Sequence, residues 1–194
     1  LAATALKSMG NAHMRMGMLD LALVEMEEAL GIQMHVLGRD HAEVGEMLNG
    51  IAAVHQKQGK STLALKGFKE ALRVLRLRLG DEHPHVGSTL NNIGNTHARQ
   101  GNLREASETF SESLRIKRRM LGKGHPDVAA SLLNLAVLQM RQGKDQDAFE
   151  NLTEGPADQD KAAWSGPPRR RAGADEHGPR PRQHGEARRG ARAP

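Results

Sequence analysis

The chain has 194 residues, enough for an ordinary domain with a buried core, and it carries a net charge of +5. It contains no cysteine, which excludes disulfides, thiol nucleophiles and cysteine-based metal sites and fits a reducing compartment. No apolar run approaches the roughly 18–20 residues that a membrane-spanning helix needs, and no secretory signal segment opens the chain. These features predict a cytoplasmic protein without membrane contact.

An internal repeat organises most of the chain. The segment LGRDHAEV begins at Leu37, LGDEHPHV at Leu79 and LGKGHPDV at Leu121, so each copy starts 42 residues after the last. The repeats occupy residues 2–43, 44–85 and 86–127, with a partial unit at 128–155. Leu1 already falls inside a repeat, so we expect further repeats upstream. Equivalent positions carry similar residues, as in Leu6, Leu48, Leu90 and Leu132, or in Met26, Phe68, Phe110 and Leu152.

Each repeat predicts two helices that pack as a hairpin. In the third repeat, Leu90, Ile93 and Gly94 recur at the spacing of one helical face, and Gly101 ends this first helix. A second periodic stretch follows, and we expect Gly122 to end it in the same left-handed conformation. Large residues in the Met9 and Phe110 columns are expected to fill the space between helices.

The repeated Leu-Gly-x-x-His-Pro-x-Val segment predicts a joint between hairpins. Its proline, Pro84 or Pro126, suits the first turn of a helix, where a missing N–H costs nothing. The residue before a proline is pushed out of helical geometry, so His83 and His125 mark the boundary. The motif therefore has an architectural role and no catalytic one.

These columns resemble the tetratricopeptide repeat, whose usual unit has about 34 residues. The 42-residue unit with its LGxxHPxVA joint is similar to the kinesin-light-chain type of that repeat. The resemblance covers residues 1–155 and implies an all-α fold in which hairpins stack as a right-handed superhelix, an α-solenoid. The sequence departs from the family pattern in the aromatic column, which holds His13, His55 and His97. In the third repeat the positions of the pattern are occupied by Leu90, Ile93, Gly94, His97, Ala106, Phe110 and Ser113.

The resemblance implies that the first helices line a concave groove that binds an extended peptide or a partner helix. Amide side chains on that face can pair with a peptide backbone, and recurring cations favour an acidic partner. An alternative is that the asparagines tie neighbouring helices together and the cations complement helix C-termini. In the fourth repeat the same face carries Leu133 and Val137. The predicted groove residues are Lys7, Asn11, Asn49, Lys57, Asn91, Asn95, Arg99 and Arg141.

The ten histidines do not indicate a metal site. Partners within a column lie a full repeat apart, with no carboxylate at ligand spacing. No Ser/His/Asp set, carboxylate pair or phosphate-cradling glycine loop stands out. The sequence therefore predicts a non-enzymatic protein without a metal or a cofactor. Six histidines form the columns His13, His55, His97 and His41, His83, His125.

Residues 156–194 differ in composition from the repeats. They hold nine Lys/Arg against five Asp/Glu and six of the eight prolines, and Trp164 is their only large apolar side chain. Such a segment cannot bury enough surface to offset its ordering entropy, so we predict a disordered basic tail. The tail also suggests an alternative function, a nucleic-acid-associated protein. We rank this alternative second because Trp164 is the only aromatic available to stack on bases.

Overall fold

A computed structural model describes residues 2–154 of the chain. The tail that the sequence predicts to be disordered, residues 156–194, lies outside the described residues. Within the described part all regular structure is α-helical, which confirms the all-α prediction. The eight helices of this part are α1 (Ala2–Arg15), α2 (Leu19–Leu37), α3 (Ala42–Lys57), α4 (Ser61–Leu79), α5 (Pro84–Gln100), α6 (Leu103–Leu121), α7 (Pro126–Arg141) and α8 (Asp145–Glu154).

The helices pair into four hairpins that keep the register of the sequence repeat. The first helices α3, α5 and α7 begin at residues 42, 84 and 126, and the second helices α4, α6 and α8 begin at residues 61, 103 and 145. The second helices α2, α4 and α6 pack against the first helix of the next hairpin. The hairpins therefore stack as an α-solenoid, as the sequence predicts.

First and second helices form two layers of this stack. The first helices of neighbouring hairpins touch each other, α1 with α3, α3 with α5 and α5 with α7. Among residues 2–154, the backbones of the second helices stay apart from one another. Because the first helices approach each other more closely, they form the inner layer, where the groove is expected.

Histidines begin three of the four first helices. His41, His83 and His125 have extended backbones, and the Nδ1 atom of each accepts a hydrogen bond from the backbone N–H two residues later, at 3.3, 3.2 and 3.1 Å. The predicted boundaries are confirmed, but the capping role is new, because histidine is not a usual N-cap residue. Burial, with a smaller effect from His85, lowers the pKa of His83 and so favours the neutral ring that accepts this bond.

Glycines end the helices in two different conformations. Gly101 follows α5 in the left-handed helical region, with φ 81° and ψ 4°, as predicted. Gly122 follows α6 with φ 84° and ψ 157°, so the prediction of the same left-handed conformation is wrong in ψ. The extended ψ directs the chain towards His125, which caps the next helix. Both conformations have a positive φ that favours glycine.

Met9 is more exposed than the equivalent residues of the later repeats. The equivalent residues Ile51, Ile93 and Leu135 are at most 9% exposed, whereas Met9 is 49% exposed. In the inner hairpins this column packs on the second helix of the preceding hairpin, as Ile51 packs against Met26 in one core cluster. Among the described residues no hairpin precedes α1, so the expectation that Met9 fills an interhelical space is wrong.

Candidate functional site

A cleft of about 460 Å³ opens between the first helices α5 and α7. Its lining includes the amide of Asn95 and two guanidinium groups, Arg99 and Arg141. Two exposed aliphatic side chains, Leu133 and Val137, line the same cleft. The structure therefore brings three of the predicted groove residues together and joins them to an apolar surface.

Two of the predicted asparagines bind the next repeat. Asn92 Nδ2 donates to Asn49 Oδ1 at 3.2 Å, and Asn134 Nδ2 donates to Asn91 Oδ1 at 3.0 Å. This is the arrangement that the alternative interpretation describes, in which asparagines tie neighbouring helices together. Each amide still has hydrogen-bonding capacity left for a ligand, since the side chain carries two donors and an acceptor with two lone pairs.

Lys7 occupies the Asn49 and Asn91 column in the first repeat and also contacts the next repeat. Gly50 stands where the later repeats have Asn92 and Asn134, so no amide is available there. Lys7 Nζ instead pairs with Glu46 Oε2 at 3.1 Å.

The arginines of the cleft each bind the preceding first helix. Arg99 Nη1 donates to the carbonyl oxygen of Gln56 at 3.4 Å, and Arg141 Nη1 donates to that of Ala98 at 3.2 Å. These carbonyls lie at helix C-termini, where the helix dipole favours a cation. Both guanidinium groups remain exposed, and a guanidinium has five N–H donors. One contact therefore positions each arginine and leaves donors for an anionic ligand.

The other three predicted residues have no such contact. Within residues 2–154, no hydrogen bond or ion pair joins the side chain of Asn11, Lys57 or Asn95 to another group. Lys57 is exposed, whereas Asn11 and Asn95 are half-buried. Asn95 is thus a half-buried amide that faces the cleft without a partner in the described part of the chain.

Leu133 and Val137 are cleft residues that the predicted site set leaves out. They occupy the columns of Asn91 and Asn95, and they are 53% and 49% exposed. The sequence signal that identifies them is a large aliphatic side chain in two columns that earlier hold Lys7, Asn49 and Asn91, or Asn11, Ala53 and Asn95. Their presence makes one wall of the cleft apolar.

A second cleft, of about 560 Å³, lies beside the second helix α6 and is rich in cations. Arg115, Arg119 and Lys123 line it. Glu82 pairs with Arg115 at 2.6 Å and approaches Arg119 at 3.8 Å, so part of this charge is already compensated.

The histidines of the aromatic column contact their own hairpins. His13 Nδ1 lies 2.7 Å from Glu25 Oε2, and His55 Nδ1 lies 3.3 Å from Gln58 Oε1. Burial lowers the pKa of His97, with a smaller effect from Lys69. In the described part of the chain, no three His, Asp or Glu side chains converge on a point that could hold a metal ion.

Comparison with known families identifies the repeat. The family model described as "Tetratricopeptide repeat" matches residues 1–66, 43–119 and 85–155. The chain belongs to the tetratricopeptide repeat family. No curated protein sequence matches this tetratricopeptide repeat chain.

Solved structures share the fold. BtubC (BKLC) from P. vanneervenii superposes with a TM-score of 0.70 at 20% identity, over 78% of this chain and 60% of that one. A kinesin-light-chain-like protein of Podosopora anserina with nearly identical TPR-like repeats gives 0.69 at 21% identity, over 78% and 72%. MamA gives 0.57 at 11% identity, over 78% and 75%. The tetratricopeptide repeat chain thus spans less than two thirds of BtubC, and these likenesses show the fold alone.

Across residues 2–154, no helix is both long enough and apolar enough to cross a bilayer.

Proposed function

We propose that this chain is a non-catalytic, cytoplasmic scaffold that binds an acidic extended peptide or partner helix in the groove formed by its first helices. Tetratricopeptide repeats are generally protein–protein interaction scaffolds. The observation that carries the proposal is the cleft between α5 and α7, where Asn95, Arg99 and Arg141 meet the apolar pair Leu133 and Val137.

Each part of the cleft suits a different part of a peptide. The Asn95 amide offers a donor and an acceptor, which is what a peptide backbone requires. Arg99 and Arg141 are held by helix carbonyls, so they lose little freedom when they bind a carboxylate. Leu133 and Val137 provide an apolar surface for one aliphatic or aromatic side chain of the ligand. Together they favour a peptide in which an apolar residue is followed or preceded by acidic residues.

The test is peptide selection on the 194-residue chain, followed by affinity measurements on the selected peptides. We expect enrichment of acidic peptides that contain an apolar anchor. Asn95→Ala should weaken binding about 5- to 10-fold, which corresponds to about 1–1.4 kcal/mol, the size of one hydrogen bond. It should not lower stability, because Asn95 has no described partner to lose and alanine is the better helix former.

Matched variants separate groove binding from other effects. Asn91→Ala removes the acceptor for Asn134, so it should unfold more easily than Asn95→Ala by about 1 kcal/mol. Arg104 is an exposed cation on α6 that pairs with Glu108. The Arg104→Ala variant should therefore bind peptides like the unaltered chain. Equal affinity of the Asn95→Ala and Arg104→Ala variants for the selected peptides would contradict the proposal. Retention of nucleic acid that is lost on adding salt, with no peptide enriched, would favour the nucleic-acid alternative instead.

A further inference from the structure

Three successive first helices carry a cation at the same position. Lys57, Arg99 and Arg141 occupy one column of the repeat, and each lies in the last turn of its helix. All three side chains are exposed, and among residues 2–154 none of them forms an ion pair. We call these three residues the cation row.

The spacing of the cation row follows the spacing of the hairpins. Arg99 Nη1 donates to the carbonyl oxygen of Gln56 at 3.4 Å, and Arg141 Nη1 donates to that of Ala98 at 3.2 Å. Gln56 and Ala98 are equivalent residues of successive repeats, so the two guanidinium groups are held alike on neighbouring helices. The first helices α3, α5 and α7 touch in sequence order, and helices in contact pack with their axes about 8–10 Å apart. Neighbouring cations of the row therefore lie about 8–10 Å apart as well.

On the same three helices, carboxylates lie only at the opposite end. α3 carries Glu43 and Glu46 near its start, α7 carries Asp127 in its first turn, and α5 carries no acidic residue. Glu46 already pairs with Lys7 Nζ at 3.1 Å. An acidic ligand that lies along the C-terminal ends of these helices therefore meets the cations of the row and no carboxylate of the same helices.

We propose that the ligand of this groove is a polyproline-II-like peptide with an acidic residue at every third position. The inference rests on the proposed function and specifies its ligand further. A polyproline II chain has three residues per turn and rises about 3.1 Å per residue, so every third side chain lies on one face, about 9.3 Å from the last. This distance agrees with the spacing of the cation row, so successive carboxylates can meet Lys57, Arg99 and Arg141.

Other backbone conformations fit the groove less well. In a β-strand, alternate side chains share a face about 6.6 Å apart, and residues three apart point to opposite faces. An α-helix returns to the same face after seven residues, about 10.5 Å along its axis, but its backbone groups are already paired within the helix. A polyproline II chain leaves its backbone N–H and C=O groups unpaired. These groups can bind the half-buried amide of Asn95, which has no described partner.

The apolar wall of the cleft suits the residues between the acidic ones. Leu133 and Val137 line the same cleft as Arg99 and Arg141. Two residues separate successive acidic residues of the proposed ligand, and one of them can place an apolar side chain against this wall. The ligand therefore repeats one acidic residue and two uncharged residues, at least one of them apolar.

The experiment compares peptides of equal composition on the full chain. The first peptide is Asp-Pro-Leu-Asp-Pro-Leu-Asp, in which proline favours polyproline II. Its isomer Asp-Pro-Asp-Leu-Asp-Pro-Leu has an acidic residue at every second position. Both have the same charge, so the basic residues within 156–194 attract them alike. A helical, alanine-rich peptide with glutamate at every seventh position tests the other backbone that matches the spacing. Fluorescence anisotropy of the labelled peptides measures the dissociation constants.

We expect the first peptide to bind about 5- to 10-fold more tightly than its isomer, because more of its carboxylates meet a cation at once. Lys57→Gln should reduce this preference about 3- to 5-fold, since one cation of the row is lost. Lys66→Gln removes an exposed cation of the second helix α4 and should leave the preference unchanged. Glutamine is as good a helix former as lysine, so both variants should fold, which circular dichroism checks.

The other outcomes separate failure of this inference from failure of the proposed function. Equal affinity for the two isomers, with both still weakened by Asn95→Ala, would show groove binding without a preferred spacing. Tighter binding of the helical peptide would mean that the ligand is a partner helix. A preference that persists in Lys57→Gln, or that is lost in Lys66→Gln, would show that the cation row is not its source. Each of these results overturns the inference alone. If Asn95→Ala weakens no peptide, the proposed function fails and the inference fails with it.

Discussion

Lys117 is a charged side chain buried at the junction of the third and fourth repeats. It is 5% exposed, and its Nζ donates to Ser131 Oγ at 3.0 Å. Burial lowers its pKa below the ordinary value of 10.5, and Asp127 offsets this only in part. The equivalent residue of the second repeat is Leu75, which is 1% exposed. The chain therefore contains both a charged and an apolar version of the same junction.

Lys117→Leu should stabilise the fold by about 1–2 kcal/mol at neutral pH, because it removes a poorly compensated buried charge. Ser131 keeps its bond to the carbonyl of Asp127, as Thr89 keeps one to His85 beside Leu75. Between the lowered pKa and 10.5 the unfolded state binds more protons, so the stability of the unaltered chain rises with pH. The advantage of the variant should therefore shrink as pH rises towards 10.5.

Urea unfolding between neutral pH and pH 10 measures both effects. Arg119→Leu on the exposed side of the same helix is the control and should change the free energy of unfolding by less than about 0.5 kcal/mol. A Lys117→Leu variant that is less stable at every pH would show that the hydrogen bond to Ser131 outweighs the cost of burial.

At the scale of the helical hairpin, a small residue on one helix makes room for a large one on the other. A Cβ added to Gly94 would lie 2.6 Å from Phe110 Cδ1, and Phe110 is 1% exposed. In the second hairpin a different glycine makes room for the close approach of the two helices. Ala52 stands in the column of Gly94, and Gly67 on the other helix lies opposite it. A Cβ on Gly67 would lie 2.9 Å from Ala52 Cβ. In the second and third hairpins, close approach of the two helices thus uses one glycine, at either of two places.

Gly94→Ala should destabilise the chain by about 1–3 kcal/mol, because the buried Phe110 ring cannot move aside without strain. Gly31→Ala is a matched control in α2, where an added Cβ meets no atom within 4 Å. That substitution should stabilise by about 1 kcal/mol through helix propensity alone. Denaturant midpoints measure the two changes in stability, which should have opposite signs. Stabilisation by Gly94→Ala would mean that the two helices of the hairpin can move apart without a cost in free energy.

At the scale of the whole described stack, each hairpin contacts only its neighbours in sequence order. The stability of such an array is close to a sum of hairpin and nearest-neighbour junction contributions. The hairpins α3–α4 and α5–α6 have a junction on each side, whereas α1–α2 and α7–α8 have one among the described residues. Local opening should therefore be easiest at the two ends of the described stack.

Amide hydrogen exchange should show this gradient in dilute solution. We expect strong protection in the first helices α3 and α5, and weak protection in α1 and in the ten-residue α8. The measurement is exchange followed by mass spectrometry on peptides from each helix. Identical protection in all hairpins would indicate that the array opens only as a unit, and the additive description would fail.

Much of the fold follows from the sequence by itself, because its determinants are local or periodic. The 42-residue spacing predicts where α3, α5 and α7 begin, and the structure confirms these starts. A proline at Pro84 and a glycine at Gly101 act through their own backbone geometry, so their effect does not depend on distant residues. Even the cap formed by His83 is local, although histidine chemistry alone does not predict it.

The candidate groove depended on tertiary structure, because the neighbouring repeat decides what each side chain can do. Asn91 and Asn95 are identical residues one helical turn apart, yet only Asn91 meets an amide of the next repeat. Lys7 reaches Glu46 because Gly50 provides no amide partner. Met9 is exposed for a related reason, since its column is buried only where a preceding hairpin covers it. Periodicity therefore determined which residues share a face, and packing between repeats decided which of them remain available for binding.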